Sequence, residues 1–247
     1  MIANPAWTPQ SAFVLAAGLG TRMRPLGEHL PKPLMLLAGR SLLDHVLDRI
    51  GEAGVPRAVV NVHYRAGQIE AHLARRGDGP RIEISDERGL LLETGGGVRK
   101  ALPLLGPEPF LVHNSDSVWI EPGVSNLRRL FTAWDATRMD ALLLLADRAT
   151  SLGYSGRGDF SCEADGRLAR VPKDASVPFV FAGVSIAHPR LLADTPEGAF
   201  SLNRVWDRAL AADRLYGVAL DGTWMHVGDP QALADAEQLI AARAGHP

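Results

Sequence analysis

Short apolar runs that alternate with helical periods constrain this chain more than any other feature of its sequence. Residues 13–17 form one such run and lead straight into glycines, the pattern of a buried strand that ends in a loop. Ser41 stands before a helical period at Leu42, Leu43, Val46, Leu47 and Ile50, stopped by Gly54 and Pro56, and residues 58–62 then read as a second buried strand. Further along, helices are predicted over 68–74, 98–105 and 126–134, and strands over 81–85, 109–114 and 141–146. Strands separated by helices pair in parallel, because the crossover needs a long connection and its helix covers one face of the sheet. The expectation is an α/β fold: a Rossmann-like, mixed and mostly parallel sheet flanked by helices.

Beyond residue 150 the texture changes to glycines, short alternating segments around Phe160, Leu168 and residues 179–186, and few helices before 202–211. This predicts a smaller β-rich half over 151–228, facing a half over 11–150 within a single domain of residues 1–247. A closing helix over 229–243 is capped by Asp229, with Pro230 in its first turn. A chain of 247 residues, 46% hydrophobic and 22% charged, is large enough to bury such a core. With 26 Lys and Arg against 28 Asp and Glu, the net charge of -2 argues against a basic nucleic-acid binder, so any phosphate chemistry must be local. Cys162 is the only cysteine, which excludes an intrachain disulfide and a thiolate metal cluster. The amino terminus has no basic segment followed by an apolar one, and no apolar run nears the roughly 18 residues of a membrane span. A cytoplasmic protein is expected, with neither membrane nor nucleic acid as partner. Nothing in the sequence speaks to oligomeric state.

The loop after the first strand reads Gly18, Leu19, Gly20, Thr21, Arg22, Met23, Arg24, Pro25. A dinucleotide fingerprint needs glycine where Met23 stands, and a Walker A loop needs a GKS or GKT that is absent. The glycines still let backbone N–H groups approach an anion, and Arg22 and Arg24 add cationic donors beside them. For an isolated GxG a plain tight turn between strand and helix is the more common reading. Lys32 shifts the balance, because Pro31 and Pro33 fix the backbone on both sides of one ammonium.

LAAGLGTRMRP followed by PKPL resembles the amino-terminal signature of the sugar-phosphate nucleotidyltransferases, the nucleoside-diphosphate-sugar pyrophosphorylases. The resemblance runs from Phe13 to about Leu239. It implies that Leu15, Ala17, Gly18, Gly20, Thr21 and Arg22 hold a nucleoside triphosphate while Lys32 neutralises phosphate charge during attack. A second glycine cluster, Glu93, Thr94, Gly95, Gly96 and Gly97, lies at a predicted helix start, where free N–H groups could meet a phosphate or a base. In the family the matching segment contacts the nucleobase, which assigns Glu93, Gly95 and Gly96 to nucleotide binding. LLETGGGVRKALPLLG and the GRGDF segment over 156–160 look like the N-acetylmuramic acid 1-phosphate uridylyltransferase branch.

Asn114, Ser115 and Asp116 fall at the carboxyl end of a predicted strand, the ligand edge of open α/β sheets. A lone carboxylate there is commonly a turn former. The resemblance instead makes Asp116 the ligand of a divalent metal, Mg2+ with Mn2+ as the alternative, and a catalytic residue beside Arg22 and Lys32. It also assigns Asn114, Gly158, Asp159 and Gly183 to the sugar side, although a hairpin at 158–159 and a strand bulge at 183 are the plain structural readings. Lys173 reads as a surface lysine and Trp119 as core. Where the family carries aspartate as a second metal ligand in a WxDVG segment, this chain has Trp224, Met225, His226, Val227, Gly228. Three roles stay open for His226: manganese ligand, hydrogen-bond partner of a metal-bound water, or neither.

The expected function is transfer of a nucleotidyl group from an NTP to a sugar 1-phosphate, giving an NDP-sugar and pyrophosphate. N-acetylmuramic acid 1-phosphate with UTP, a reaction of peptidoglycan recycling, is favoured. Mannose 1-phosphate with GTP is the enzymatic alternative, and a non-catalytic nucleotide-sugar-binding regulator is the alternative of a different class. A dinucleotide-dependent dehydrogenase is disfavoured by Met23.

Overall fold

A computed structural model describes residues 5–172 and 174–244, so Lys173 lies outside the described residues. The elements in chain order are β1 (Ala12–Leu15), β2 (Leu36–Leu37), β3 (Arg40–Ser41), α1 (Leu42–Glu52), β4 (Arg57–Val62), α2 (Ala66–Leu73) and β5 (Arg81–Asp86). They continue with α3 (Glu93–Leu105), β6 (Phe110–Asn114), β7 (Ser117–Ile120), α4 (Asn126–Ala133), β8 (Ala141–Asp147), β9 (Phe160–Cys162) and β10 (Leu168–Arg170). The last are β11 (Phe179–Ala187), α5 (Asn203–Ala211), β12 (Leu215–Ala219), β13 (Thr223–His226) and α6 (Pro230–Ala244).

One sheet of nine strands organises the molecule. Its first part is parallel: β1 lies between β4 and β6, and β5 flanks β4. β11 then runs antiparallel to both β6 and β8, and the parallel strand β12 closes that side. β9 and β10 extend from β11 as a short antiparallel pair. The sheet is therefore mixed and mostly parallel where the crossovers are helical, as expected. Its antiparallel strands come from the β-rich stretch of the sequence, yet they join the same sheet.

Local sequence explains the elements that carry the site. Ser41 caps α1 by accepting the Asp44 N–H at 3.0 Å, and Leu42, Leu43, Val46, Leu47 and Ile50 form the helix's buried face. Asp229 caps α6 by accepting the Ala232 N–H at 2.9 Å. Between β1 and α1 the chain makes 3-10 turns at Thr21–Met23, Leu26–Glu28 and Lys32–Leu34 rather than the α-helix of a dinucleotide fold. Met23 is the reason that its position is not glycine. It is fully buried among Met35, Leu37, Leu42, Val118, Met225, Val227 and Ala236, and so anchors the loop to a small hydrophobic cluster beneath it.

Five strands were absent from the sequence reading: the two-residue pair β2 and β3, and β7, β12 and β13. Trp119, in β7, is buried; the Arg49 guanidinium lies 4.1 Å from its ring centre, and its indole N–H donates to Glu121 at 2.9 Å. Among the described residues no helix is long and apolar enough to cross a membrane.

Candidate active site

Parallel strands β1, β4 and β6 present their carboxyl ends at one edge of the sheet, and a cavity of about 460 Å³ opens there. Leu15, Ala17, Gly18, Gly20, Thr21, Arg22, Lys32, Glu93, Thr94, Asn114 and Asp116 all line it. Gly20 has φ +61, and a Cβ on it would sit 3.2 Å from Lys32 Cβ, so glycine lets the loop close onto the Lys32 turn. Gly18 faces open space. Among the described residues, none of the hydrogen bonds found takes the N–H of Gly18, Leu19 or Gly20, which leaves these donors available to an anion in the cavity.

What holds the loop's base is Asn61, a residue that sequence reasoning missed. Its Oδ1 accepts the N–H groups of Ala16 at 2.6 Å and Ala17 at 3.1 Å, and its Nδ2 donates to Glu87 Oε1 at 2.7 Å. Glu87 Oε2 accepts the Leu92 N–H at 3.1 Å, so one buried amide–carboxylate pair ties the glycine loop to the start of α3. The available signal was a polar residue inside the otherwise apolar run of β4.

The second glycine cluster departs from expectation. Glu93 has φ +58 and lines the cavity with Thr94, but Gly95 and Gly96 do not line it. Their N–H groups donate to the Phe200 carbonyl at 2.7 and 3.1 Å, and a Cβ on either would overlap Phe200 or Gly198. The expectation of free donors at this helix start is therefore corrected: these glycines let the 198–200 segment pack onto α3. Gly97 similarly accommodates Glu87 and Asn61, whose nearest atoms would lie 2.7 and 3.1 Å from a Cβ.

Asp116 occupies the turn between β6 and β7. The Ser115 N–H donates to the Leu15 carbonyl at 3.2 Å, and the Val227 N–H donates to the Asp116 carbonyl at 3.2 Å, so the turn is clamped from both sides. Lys32 Nζ donates to Asp116 Oδ2 at 2.6 Å. Burial pushes the Asp116 carboxyl up, but the Lys32 ammonium and the neighbouring His226 hold it below the usual range, so it is ionised. His226 is brought alongside by register, since β13 pairs antiparallel with β7 and sets His226 opposite Ser117. Its ring stacks on Trp224 at 5.6 Å. Burial first, with Lys32 and Arg22 adding to it against the opposing pull of Asp116, lowers the His226 pKa and leaves a neutral imidazole with a lone pair. Arg22 Nη1 would lie 3.5 Å from a Cβ on Gly228, which lines the same cavity.

A second cavity of about 150 Å³ adjoins the first and shares Asn114 and Asp116 with it. Ser117, Tyr154, Asp159, Phe181, Gly183, Trp224 and His226 also line it. Gly183 sits in a bulge of β11 with φ +77, where a Cβ would meet Ser117 Cβ at 2.9 Å and Asn114 Nδ2 at 3.1 Å. The plain bulge reading and the close-approach reading are thus one feature. Asp159 Oδ2 accepts the Phe181 N–H at 2.9 Å. Gly158 does not line the cavity, and its N–H donates to the Tyr154 hydroxyl oxygen at 3.1 Å. Trp224 Nε1 donates to Ser117 Oγ at 2.8 Å, and that hydroxyl donates to the Ala182 carbonyl. Tyr154 carries no sequence pattern that marks it as a site residue, and Trp224 stands out only as the first residue of the WxDVG-like segment; the folded sheet brings both to this wall.

Donors for a metal are present but sparse. Among the described residues there is no group of three or more His, Cys, Asp and Glu able to hold an ion. Mg2+ needs no such cage, because it keeps waters and phosphate oxygens and takes one or two protein ligands. Asp116, ionised and shared by both cavities, fits that demand, with His226 beside it.

Residues 12–157 match the MobA-like NTP transferase domain. N-acetylmuramate α-1-phosphate uridylyltransferase of Caulobacter vibrioides is 50% identical over 236 residues, covering 94% of this chain and 98% of that protein. The Neisseria meningitidis protein of the same name is 34% identical over the same shares of both chains. Mannose-1-phosphate guanylyltransferase catalytic subunit beta of Drosophila pseudoobscura pseudoobscura is 29% identical, covering 89% of this chain and 59% of that one. Among solved structures, UDP-glucose pyrophosphorylase complexed with UDP-glucose shares the fold with a TM-score of 0.78 at 14% identity, over 96% of this chain and 100% of that one. With a family model over more than half of its length and a half-identical relative matched almost end to end, the chain belongs to the MobA-like NTP transferases and is a homologue of N-acetylmuramate α-1-phosphate uridylyltransferase.

Proposed function

We propose that this protein transfers uridylyl from UTP to N-acetylmuramic acid 1-phosphate, releasing pyrophosphate and UDP-N-acetylmuramic acid for peptidoglycan recycling. The observation that carries this reading is the meeting of the two cavities at Asn114 and Asp116, one walled by backbone donors and the other by side chains. The choice of sugar and base rests on the two relatives of that name that match nearly the whole chain.

In the reaction, a phosphate oxygen of the sugar 1-phosphate attacks the α-phosphorus in line, and the bond from that phosphorus to the β-phosphate oxygen breaks. No enzyme-bound covalent intermediate is needed, so the protein's work is positioning and charge stabilisation. The 18–21 loop cradles the triphosphate, and Arg22 and Lys32 offset the charge that develops and departs with pyrophosphate. Glu93 borders the nucleotide. Asn114, Asp159 and Gly183 shape the sugar side, while Gly158 acts on it through Tyr154. Asp116, with His226 beside it, would hold Mg2+ or Mn2+, which when bound draws the two substrates' phosphates together as a Lewis acid. A cytoplasmic location, where nucleoside triphosphates are supplied, belongs to the same reading.

Pyrophosphate release by purified protein, measured over UTP, GTP, CTP, ATP and dTTP against several sugar 1-phosphates, tests the proposal. Turnover with UTP and N-acetylmuramic acid 1-phosphate is expected. Turnover confined to GTP with mannose 1-phosphate overturns the substrate, and nucleotide binding without any turnover overturns catalysis in favour of a regulator.

A further inference from the structure

The sugar cavity has two carboxylates in its wall, and two arginines stand beside another of its wall residues, Tyr154. Asp116, which the proposed function assigns to the phosphate and its metal, and Asp159 are the charged residues of its wall, and Asp159 would repel a second anionic group placed beside it. At its edge stands Tyr154, and the loop that follows curls back over the tyrosine's hydroxyl. A Cβ on Gly156 would overlap that hydroxyl, and the Gly158 N–H donates to it at 3.1 Å. Arg157 lies between these two glycines, so its backbone is held beside the Tyr154 hydroxyl. Arg148 reaches the same place from the end of β8, with Nη1 donating to the Gly156 carbonyl at 3.5 Å.

The backbone fixes both arginines against one short segment. The Arg148 N–H donates to the Pro178 carbonyl at 2.8 Å, and the Val177 N–H donates to the Arg157 carbonyl at 2.9 Å. Residues 148 and 157 thus flank consecutive residues just ahead of β11, the strand whose bulge forms the cavity wall. The charges of both reach the Tyr154 hydroxyl, whose pKa burial and Asp159 raise while the Gly158 N–H and the two arginines oppose the rise.

We infer that Arg148 and Arg157 form a carboxylate-recognising rim that selects an acidic sugar 1-phosphate over its neutral counterpart. The inference rests on the proposed transfer to N-acetylmuramic acid 1-phosphate, whose lactyl ether carries a carboxylate. With the substrate's phosphate assigned to Asp116, its lactyl ether, borne across the ring from that phosphate, is assigned to the Tyr154 side of the cavity, where the two arginines stand. Two guanidinium groups there match a carboxylate in charge and in planar hydrogen-bond geometry. A neutral sugar of the same ring gains nothing from them.

The test compares N-acetylmuramic acid 1-phosphate with N-acetylglucosamine 1-phosphate, the same ring without the lactyl group, each with UTP. In R148Q/R157Q the KM for the acidic sugar is expected to rise about tenfold or more. The kcat, the KM for UTP and the KM or Ki of the neutral sugar are expected to stay within about twofold. R148K/R157K, which keeps the charge, recovers part of the loss. A thermal midpoint accompanies each variant; if R148Q fails to fold, R157Q alone carries the test because Arg157 is exposed. Folded glutamine variants that keep the wild-type preference between the two sugars overturn this inference alone. A wild type that transfers nothing to N-acetylmuramic acid 1-phosphate instead overturns the proposed function.

Discussion

The two cavities are built by opposite means. The proposed nucleotide side lies at the carboxyl ends of parallel strands and is walled largely by a backbone loop, with Asn61 and Glu87 holding it from behind. The proposed sugar side rests on an antiparallel, bulged strand and is walled by side chains from β7, β11, β13 and the 154–159 loop. A backbone cradle suits a triphosphate, which every substrate pair brings in the same form. A side-chain wall suits the sugar, whose substituents must be told apart. Asp116 and Asn114 belong to both, so loss of the Asp116 carboxylate damages both, whereas losses at residues of one cavity fall on one side.

The largest expected effect follows from that shared position. Asp116→Ala removes the carboxylate common to both cavities, and product formation in a steady-state pyrophosphate assay falls by about a thousandfold or more. Unchanged turnover would remove Asp116 from the mechanism. Lys32→Ala is expected to lower kcat by about a hundredfold, measured with both substrates saturating, since it takes away one cation aimed at developing phosphate charge.

Next come changes that separate the sides. Gly183→Val forces a side chain into a position with φ +77 and 2.9 Å from Ser117 Cβ. The KM for the sugar phosphate should rise about tenfold while UTP binding by calorimetry stays unchanged. Asn61→Ala does the reverse. It strips the Ala16 and Ala17 N–H groups of their acceptor and leaves Glu87 without its amide partner, so the KM for UTP rises and unfolding free energy falls by about 2 kcal/mol. Equal effects on both substrates in either variant would break the contrast.

The smallest effect is a control away from both sides. Burial raises the Asp140 carboxyl, but hydrogen bonds from Arg214 and Arg190 hold it below its ordinary value. A folded pKa below the unfolded one gives stability that is complete above the unfolded value, about 3.9, and is lost as pH falls through the lowered one. Asp140→Asn should therefore lower the thermal midpoint at neutral pH, lower it less in acid, and leave both KM values alone.

How much was legible beforehand differs between the two sides for a physical reason. The triphosphate loop is one contiguous segment, so Gly18, Gly20, Thr21 and Arg22 stand together in the chain as they do in the cavity. The wall of the second cavity draws residues from 114 to 226, and Tyr154 has no local pattern that announces it. Gly95 and Gly96 show the opposite failure: a glycine pattern at a helix start fits an anion site, but the Phe200 carbonyl occupies those donors. β7 and β13 escaped notice because four-residue strands that pair across about a hundred residues leave no periodicity in a short window.

By itself the sequence determined the alternation of strand and helix, the ends of α1 and α6, and the glycine loop at the close of β1, because apolar periodicity and capping act within a few residues. It also placed Lys32 between two prolines and Asp116 at a strand end. Only the tertiary structure decided that these two meet at 2.6 Å, that Met23 anchors the loop and that Asn61 holds its base. It alone set His226 beside Asp116, since that contact comes from strand register between segments far apart in the chain. Register and burial are properties of the assembled sheet, and no window of sequence contains them.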